Sequence, residues 1–322
     1  MVRINAAVVT DLAEPPAYGS IDLRPLREGE ELVDVLAAGL HPRVRSGASG
    51  SHYTSTGRLP LVPGIDGVGR RDDGSLVYFA LDDDRFGSLA TRVIVDPRRV
   101  IALPNGADVV RVAAAMNPAM SSWVALRRRI ALAPGAAVLV LGATGNAGTM
   151  AVQIAKLLGV GSVVVAAGRD TQRLARLTAL GADATVALAD DPRASAAALA
   201  EVAADVDVVL DYLWGAPTEA AIPALLRARA DRSRAIDWIE IGSVAGPDIS
   251  LPSAALRSAH LRLIGSGQGS IGGREYLAEL PSLVDAIDDG RIDVTTRTAR
   301  IADVRAVWIA PEEPGVRTVF VP

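Results

Sequence analysis

The sequence predicts an α/β fold, a doubly wound parallel sheet joined to a second, irregular β-rich domain. Three observations lead there. From about Ala137 onward, short β-branched runs alternate with helical segments, the pattern of successive βαβ units. Those runs are continuously apolar instead of alternating, as strands covered on both faces require. Before Asn117 the texture changes to short strand candidates separated by turn-rich loops. A chain of 322 residues, half of them hydrophobic, is long enough to bury two cores.

Taken in order, the first region offers strands in "INAAVVT", "ELVDVLAAG", "SLVYFAL" and "ATRVIVD", with "RSGASGSHYTSTGRLPLVPG" (45–64) as a long loop. The sheet strands follow in "AVLVLG", "SVVVAAG", "ATVAL", "VDVVLD", "IDWIEIG" and "LRLIGSG", enough for a complete doubly wound sheet. Between them, "NAGTMAVQIAKLL", "TQRLARLTAL", "RASAAALAEVAA" and "PTEAAIPALLRAR" repeat apolar residues at helical spacing. The last segment, "RTARIADVRAVWIAPEEPGVRTVFVP", ends in a strand that returns to the first domain. The expected division is 1–116 with 268–322 for that discontinuous domain and 117–267 for the sheet domain.

A formal charge of −4, with no basic block interleaved with aromatics, argues against nucleic acid as a partner. "MVRINAAVVT" has no cleavable apolar segment and no later run reaches spanning length, so the expectation is a cytoplasmic protein without a membrane partner. There is no Cys, and the three His (His41, His52, His260) show no ligand spacing, so no metal is expected. Asp82, Asp83 and Asp84 lack the spacing of a calcium loop and read as a solvated loop.

The chemistry starts at "LGATGNAGTMAVQIAKLLG" (141–159), where Gly142, Gly145 and Gly148 lie between a strand and a helix. Such glycines either relieve crowding at a turn or let a ligand approach bare backbone. The strand–turn–helix context favours the ligand, a dinucleotide whose pyrophosphate sits on the helix N-terminus in a cradle of Ala143, Thr144, Gly145, Asn146, Ala147 and Gly148. Ala143 takes the place of the first glycine of the common G-x-G-x-x-G. The second strand ends in "AAGRD". Gly168 stands where a carboxylate would hold the ribose of NAD, leaving room for a 2′-phosphate, and Arg169 follows with a guanidinium suited to it. NADPH is therefore expected over NADH. The competing reading makes Arg169 an ordinary exposed residue and Asp170 the N-cap of the next helix.

At this point the chain resembles the zinc-independent medium-chain dehydrogenase/reductases, in particular the quinone oxidoreductase and enoyl reductase branch. The likeness runs through "VLAAGLHPRVRSG", "LPLVPGIDGVG", "FGSLATRVIVDPRRVIALP", "SSWVAL", "PGAAVLVLGATGNAGTMAVQIAKLLG", "IEIGS" and the terminal "VFVP". It implies a GroES-like β-rich domain, a Rossmann domain and a nicotinamide in the cleft between them. It also implies that Gly242–Ser243 and Gly265–Ser266–Gly267, after the fifth and sixth strands, face the nicotinamide half of the cofactor. Tyr212, after the fourth strand, lines that site or packs beneath it. Asn117, Ser121 and Ser122 would meet nicotinamide or substrate, or else cap a helix N-terminus. The chain departs from the zinc-dependent pattern at Ile65 and Asp66, which stand where a His and a Glu belong. His41 replaces a common Asn, and Asn117 an apolar residue.

Without a metal, hydride transfer is easiest to acceptors that spread the arriving charge themselves, namely quinones and α,β-unsaturated carbonyls. Tyr53 is the first candidate donor to the acceptor oxygen and His41 the second; the alternatives are a ring packed in its loop and an imidazole satisfied by backbone. The expected function is an NADPH-dependent reductase of such small molecules. Ketone or aldehyde reduction, or a non-catalytic NADPH-binding protein, stand as alternatives. Trp123, Trp214, Trp238 and Trp308 read as core or interface anchors. The apolar sixth strand at the sheet edge points to a homodimer.

Overall fold

The computed structural model describes residues 2–52, 54–159, 163–267 and 269–322, and the chain divides into two compact units. The first takes the chain up to Asn117 together with Leu280–Gly290 and Val294–Pro322; the second takes Pro118–Glu279 and Arg291–Asp293.

The first unit opens with β1 (Arg3–Val8) and β2 (Ala17–Asp22), an antiparallel hairpin. Then come β3 (Glu31–Gly39), α1 (Pro42–Ala48), β4 (Asp66–Arg70), β5 (Leu76–Ala80), β6 (Arg92–Val95) and β7 (Val100–Ala102), followed by α2 (Val109–Val124), whose residues from Pro118 onward belong to the second unit. The second unit supplies β8 (Val138–Leu141), α3 (Asn146–Leu157), β9 (Val164–Gly168), α4 (Thr171–Ala179), β10 (Ala184–Ala187) and α5 (Pro192–Ala203). It continues with β11 (Val208–Asp211), α6 (Gly215–Ala228), β12 (Ile236–Glu240), α7 (Ser253–Arg257) and β13 (Leu261–Gly265). After α8 (Gly273–Asp288), the chain ends in β14 (Thr295–Arg300), α9 (Val304–Ile309) and β15 (Val316–Val321).

The sheet of the second unit has the order β10-β9-β8-β11-β12-β13, with every pairing parallel. The chain enters in the middle at β8, steps outward to β10, crosses back beside β8 with β11 and runs out to β13. That is the Rossmann doubly wound order, and it opens a crevice where direction reverses, between β8 and β11. Every residue of β8, β9 and β11 is buried, whereas the edge strands β10 and β13 are half exposed. Leu139, Leu141, Val165, Val209 and Trp238 of the sheet pack with Leu199 of α5 and with Ile222 and Leu225 of α6. On α3, the Gln153 side chain pairs with the backbone of Asp293, donating to its O at 3.1 Å and accepting from its N–H at 2.7 Å. That contact binds Arg291–Asp293 into the second unit.

In the first unit the sheet path is β14-β15-β3-β4-β5-β7, with β6 also paired to β3. The C-terminal strand does return: β15 runs antiparallel to β3 with Phe320 opposite Ala38. Val33, Val35, Val77, Phe79, Val93 and Phe320 form its core.

Three expectations need correction. The second unit extends to Glu279 instead of ending at 267, because the Glu279 carboxylate, 2% exposed, accepts from Trp123 Nε1, Arg127 Nε and Arg128 Nε at 3.0, 2.5 and 2.5 Å. Asn117, Ser121 and Ser122 cap no helix N-terminus but lie inside α2, beside Pro118. Ser121 Oγ donates to Pro118 O at 2.7 Å and Ser122 Oγ to Ala119 O at 3.2 Å, so both hydroxyls are absorbed along the helix. The long loop expected from 45 begins as the last turn of α1. Trp123 and Trp238 are buried anchors, whereas Trp214 and Trp308 are half exposed, the latter under the Arg45 guanidinium at 5.0 Å.

β11 ends at the fully buried Asp211, whose carboxylate takes four donors. Leu213 N–H and Trp214 N–H reach Oδ1 at 2.8 and 3.0 Å; Thr218 Oγ1 and Trp238 Nε1 reach Oδ2 at 2.6 and 2.9 Å. These bonds hold the turn into α6, where Trp214 sits at φ +54°, a conformation that bulky side chains rarely adopt. Asp211→Ala should destabilise the protein by about 3–5 kcal/mol, the scale for breaking a buried charged network, and Thr218→Val by only about 1 kcal/mol. Scanning calorimetry checks the order; equal small losses would show that the carboxylate does not hold the turn.

Candidate functional site

Beyond Leu141 the chain turns sharply. Gly142 adopts φ +83°, and the N–H groups of Gly142 and Ala143 both donate to Ala167 O on β9, at 3.0 and 2.9 Å. A Cβ on Gly148 would stand 2.3 Å from Gly142 O and 2.7 Å from Ala143 Cα, so only glycine lets α3 touch this turn. The N-cap of α3 is Gly145, with no side chain capping the helix. Its first intrahelical bond runs from Thr149 N–H to Gly145 O at 2.8 Å, which leaves the N–H groups of Asn146, Ala147 and Gly148 without helical partners. Gly145 is exposed, Thr144, Asn146 and Ala147 are half buried, and Ala143 is buried and offers backbone alone. The result is an uncapped, partly positive helix end at the sheet's reversal point, suited to a pyrophosphate.

At the end of β9 the structure corrects one detail. Gly168 does not open free space: a Cβ there would lie 2.6 Å from both Cγ2 and Oγ1 of Thr144. Glycine at 168 makes room for Thr144, and a carboxylate introduced there would collide with it. Arg169 is exposed, and Asp170 caps α4 by accepting from Arg173 N–H at 3.0 Å. Arg173, half buried one turn into α4, was not read from the sequence. Burial pulls its guanidinium below the usual range, against the pull of Asp170.

The carboxyl ends of β11, β12 and β13 lie side by side, with Asp211 opposite Glu240 and Glu240 opposite Gly265. Gly242 N–H donates to Asp211 O at 3.2 Å and Ser266 N–H to Glu240 O at 2.8 Å. Ser243 is exposed, and Val244 beside it is 82% exposed. The turn at Gly267, whose O accepts from Ser270 Oγ at 2.8 Å, is pinned by Arg129, which donates to Gly265 O at 2.8 and 3.0 Å and to Ser270 O at 2.8 Å. Tyr212 is buried, and its hydroxyl lies 2.9 Å from Ser121 Oγ. Because Ser121 already donates to Pro118 O, it accepts from the phenol; burial pushes Tyr212 up to about 12. The packing role fits this geometry, with Tyr212 supporting the Gly142 turn from below. Glu240, also missed, is half buried and pushed above the usual carboxylate range by burial and by Asp211.

In the first unit, Tyr53 lies outside the described residues. His41 is 3% exposed, with Nε2 3.3 Å from Asp66 Oδ1, and the other oxygen of Asp66 accepts from Tyr78 Oη at 2.9 Å. Its partner is thus a carboxylate, not the backbone. Burial pulls the imidazole below its usual range, against Asp66. Asn117 is half buried and belongs to the first unit, whereas Ser121 belongs to the second. In the acidic loop Asp82 and Asp84 are exposed, while Asp83 accepts from the N–H groups of Arg85 and Phe86 at 2.9 and 3.2 Å.

A family model described as zinc-binding dehydrogenase matches residues 147–285. The side chains here do not suit zinc. The chain has no Cys, Ile65 offers no ligand, and His41 and Asp66 are bonded to each other. Among the described residues no group of three or more His, Cys, Asp or Glu is arranged to hold a metal ion. The chain is 29% identical to tdiC of Emericella nidulans, a probable NADPH-dependent quinone reductase, over 99% of this chain and 100% of that one. It is 29% identical to the 2-methylene-furan-3-one reductase of Solanum lycopersicum over 52% of this chain and 50% of that protein. The quinone oxidoreductase of Thermus thermophilus, whose structures include a complex with NADPH, superposes with a TM-score of 0.80 at 25% identity, covering 99% of this chain and 100% of that one. With the Rossmann sheet, the second β-rich unit and a relative matched end to end, the chain is similar to the medium-chain dehydrogenase/reductases, and to their quinone oxidoreductases in particular.

Proposed function

We propose that the protein is an NADPH-dependent oxidoreductase that passes hydride to a quinone or an α,β-unsaturated carbonyl. The observation that carries this is the turn into α3. A glycine-only approach of helix to strand leaves uncapped N–H groups at the sheet's reversal point, and Arg169 follows the next strand where an NAD site needs a carboxylate. The names of tdiC and the tomato enzyme point the same way, toward quinone and unsaturated-ketone acceptors. NADPH, when bound, supplies the hydride.

The chain's residues bind and orient. We assign the N–H groups of Asn146, Ala147 and Gly148 to the pyrophosphate, Arg169 with Arg173 nearby to the 2′-phosphate, and Gly242–Ser243 and Ser266–Gly267 to the nicotinamide half. Asn117 and Ser121 keep their proposed place near nicotinamide or substrate. Tyr53 keeps the proposed role of donor to the acceptor oxygen. His41 is the weaker candidate, since burial keeps it uncharged and Asp66 holds its Nε2. A cytoplasmic location goes with this reading, because reduced nicotinamide cofactor is held there.

Purified protein should oxidise NADPH with quinones and enones faster than with simple ketones or aldehydes, and chelation should leave the rate unchanged. Cofactor binding without turnover of any acceptor, or activity abolished by chelator and restored by zinc, would overturn the assignment. Arg169→Ala should weaken NADPH by about 10–150-fold, a charge-assisted hydrogen bond of about 1.5–3 kcal/mol at about 1.4 kcal/mol per decade. Exposure to salt moves the result toward the lower limit. NADH affinity should hold; equal loss of both cofactors would remove Arg169 from the phosphate site. We also propose a homodimer through β13, whose outer edge has no strand beside it among the described residues and carries the partly exposed Leu263. Sedimentation at micromolar concentration should give a two-chain particle that Leu263→Arg converts to one chain; a wild-type monomer would refute it.

A further inference from the structure

Trp214 is held in a backbone conformation that its side chain opposes. It sits at φ +54° in the turn between β11 and α6, and Gly215 follows at φ +57°. At 215 glycine is a steric necessity, since a Cβ there would lie 2.7 Å from Ala245 O. At 214 a glycine would adopt the same dihedral without strain, yet the chain carries its largest type of side chain there. Strained residues persist where the surrounding structure imposes them, and they gather at ligand sites. Here the bond from Trp214 N–H to Asp211 Oδ1 at 3.0 Å fixes the backbone, and it makes no use of the indole.

The indole is uncommitted. Trp123 Nε1 and Trp238 Nε1 each donate to a carboxylate, of Glu279 and Asp211, and the Trp308 ring lies under the Arg45 guanidinium. Among the described residues, Trp214 alone of the four tryptophans has neither a hydrogen bond on its ring nitrogen nor a cation over its ring. It is also half exposed. The turn that carries it is wedged into the second unit's crevice. On one side a Cβ on Gly142 would meet Leu213 Cδ2 at 3.1 Å and Tyr212 Cβ at 3.2 Å. On the other, Ala245 N–H donates to Leu213 O at 2.8 Å, tying in the turn after β12.

We propose that Trp214 binds the adenine of the cofactor, with its indole stacked on the purine ring. This rests on the NADPH-binding reading above. β9 and β11 flank β8, so the ends of those two strands stand about 10 Å apart, two strand spacings. That is the span of one nucleotide. With the 2′-phosphate at Arg169 after β9, the adenine on the same ribose reaches the end of β11. The pyrophosphate on α3 directs the nicotinamide half the other way, toward β12 and β13. Stacking needs a planar face and no particular donor, which is what a half-exposed ring without polar partners supplies. The strained backbone then has a purpose, since it holds the ring at the rim of the crevice instead of letting it fold into the core.

The test uses the full chain as wild type, Trp214→Phe and Trp214→Gly, with calorimetric titration, tryptophan fluorescence and a thermal melt. Adenosine 2′,5′-bisphosphate, which has the adenine half and no nicotinamide, should quench part of the wild-type fluorescence, and nicotinamide mononucleotide should not. Trp214→Phe should lose that quench and keep most of the affinity. Trp214→Gly should weaken the bisphosphate, NADPH and NADH alike, by about 5–150-fold, the range for base–aromatic stacking of about 1–3 kcal/mol at about 1.4 kcal/mol per decade. Its melt should be no lower than that of wild type, because glycine relieves the positive φ; a tryptophan that served packing alone would lower the melt and leave affinity intact. If Trp214→Gly does not fold, the quench and its loss in Trp214→Phe decide alone. A bisphosphate bound without quenching, a quench that survives in Trp214→Phe, a quench by the mononucleotide instead, or unchanged affinity in Trp214→Gly would each overturn the inference and leave the function standing. A wild type that binds neither the bisphosphate nor NADPH would overturn both.

Discussion

The second unit is organised around one close approach, that of α3 to the turn leaving β8. Gly148 meets Gly142 O and Ala143 Cα at distances no Cβ could share. The atoms in the way are backbone, so no side-chain rearrangement could relieve the contact. Gly142 in turn needs its left-handed φ to bring that carbonyl under the helix, and the paired N–H bonds to Ala167 O fix the turn against β9. The N-cap of α3 is likewise a glycine, Gly145, so no side chain caps the N–H groups of its first turn. Packing and binding are therefore two consequences of the same missing methyl groups.

The opposite wall of the crevice depends on charge, not on empty space. Asp211 ends β11 where four donors converge, two from the following turn, one from α6 and one from β12. A neutral acceptor at that position would leave some of these buried donors unmatched. The turn it holds carries Trp214 in a strained conformation, and the neighbouring strand end carries Glu240, whose carboxyl resists ionisation beside it. Strain and the perturbed Glu240 carboxyl thus lie at the carboxyl edge of the sheet, while the central strands behind it are plain packed aliphatics.

The sheet was legible in the sequence because strands buried on both faces must be apolar throughout, as β8, β9 and β11 are. The glycine turn was legible because its spacing has one steric explanation. What failed to show depends on contacts between distant residues. α2 was hidden because Asn117, Pro118, Ser121 and Ser122 suggest a helix start, whereas buried Met116 and Met120 hold the helix through them. The end of the second unit was misplaced because Glu279 finds its partners about 150 residues back in the chain, at Trp123, Arg127 and Arg128. Gly168 was read as open space for a phosphate when its missing side chain makes way for Thr144. A sequence shows that a side chain is absent, but not which neighbour fills the gap.

The same limit applied to the polar residues of the first unit. Sequence alone does not tell His41 from His52 by protonation state, yet they are held in opposite ways. His41 has a carboxylate on Nε2, with the proton between them, and lies among core residues. His52 has donors on Nδ1, which leave that nitrogen without a proton, and burial and then the Arg43 charge push the ring down to about 4. Neither imidazole is set to be a cation at physiological pH, and the chain lacks the thiolates that would recruit zinc. A cation set against negative charge on an acceptor oxygen would then have to be a group charged at every working pH. Arginine meets that condition, since its guanidinium stays protonated even when partly buried.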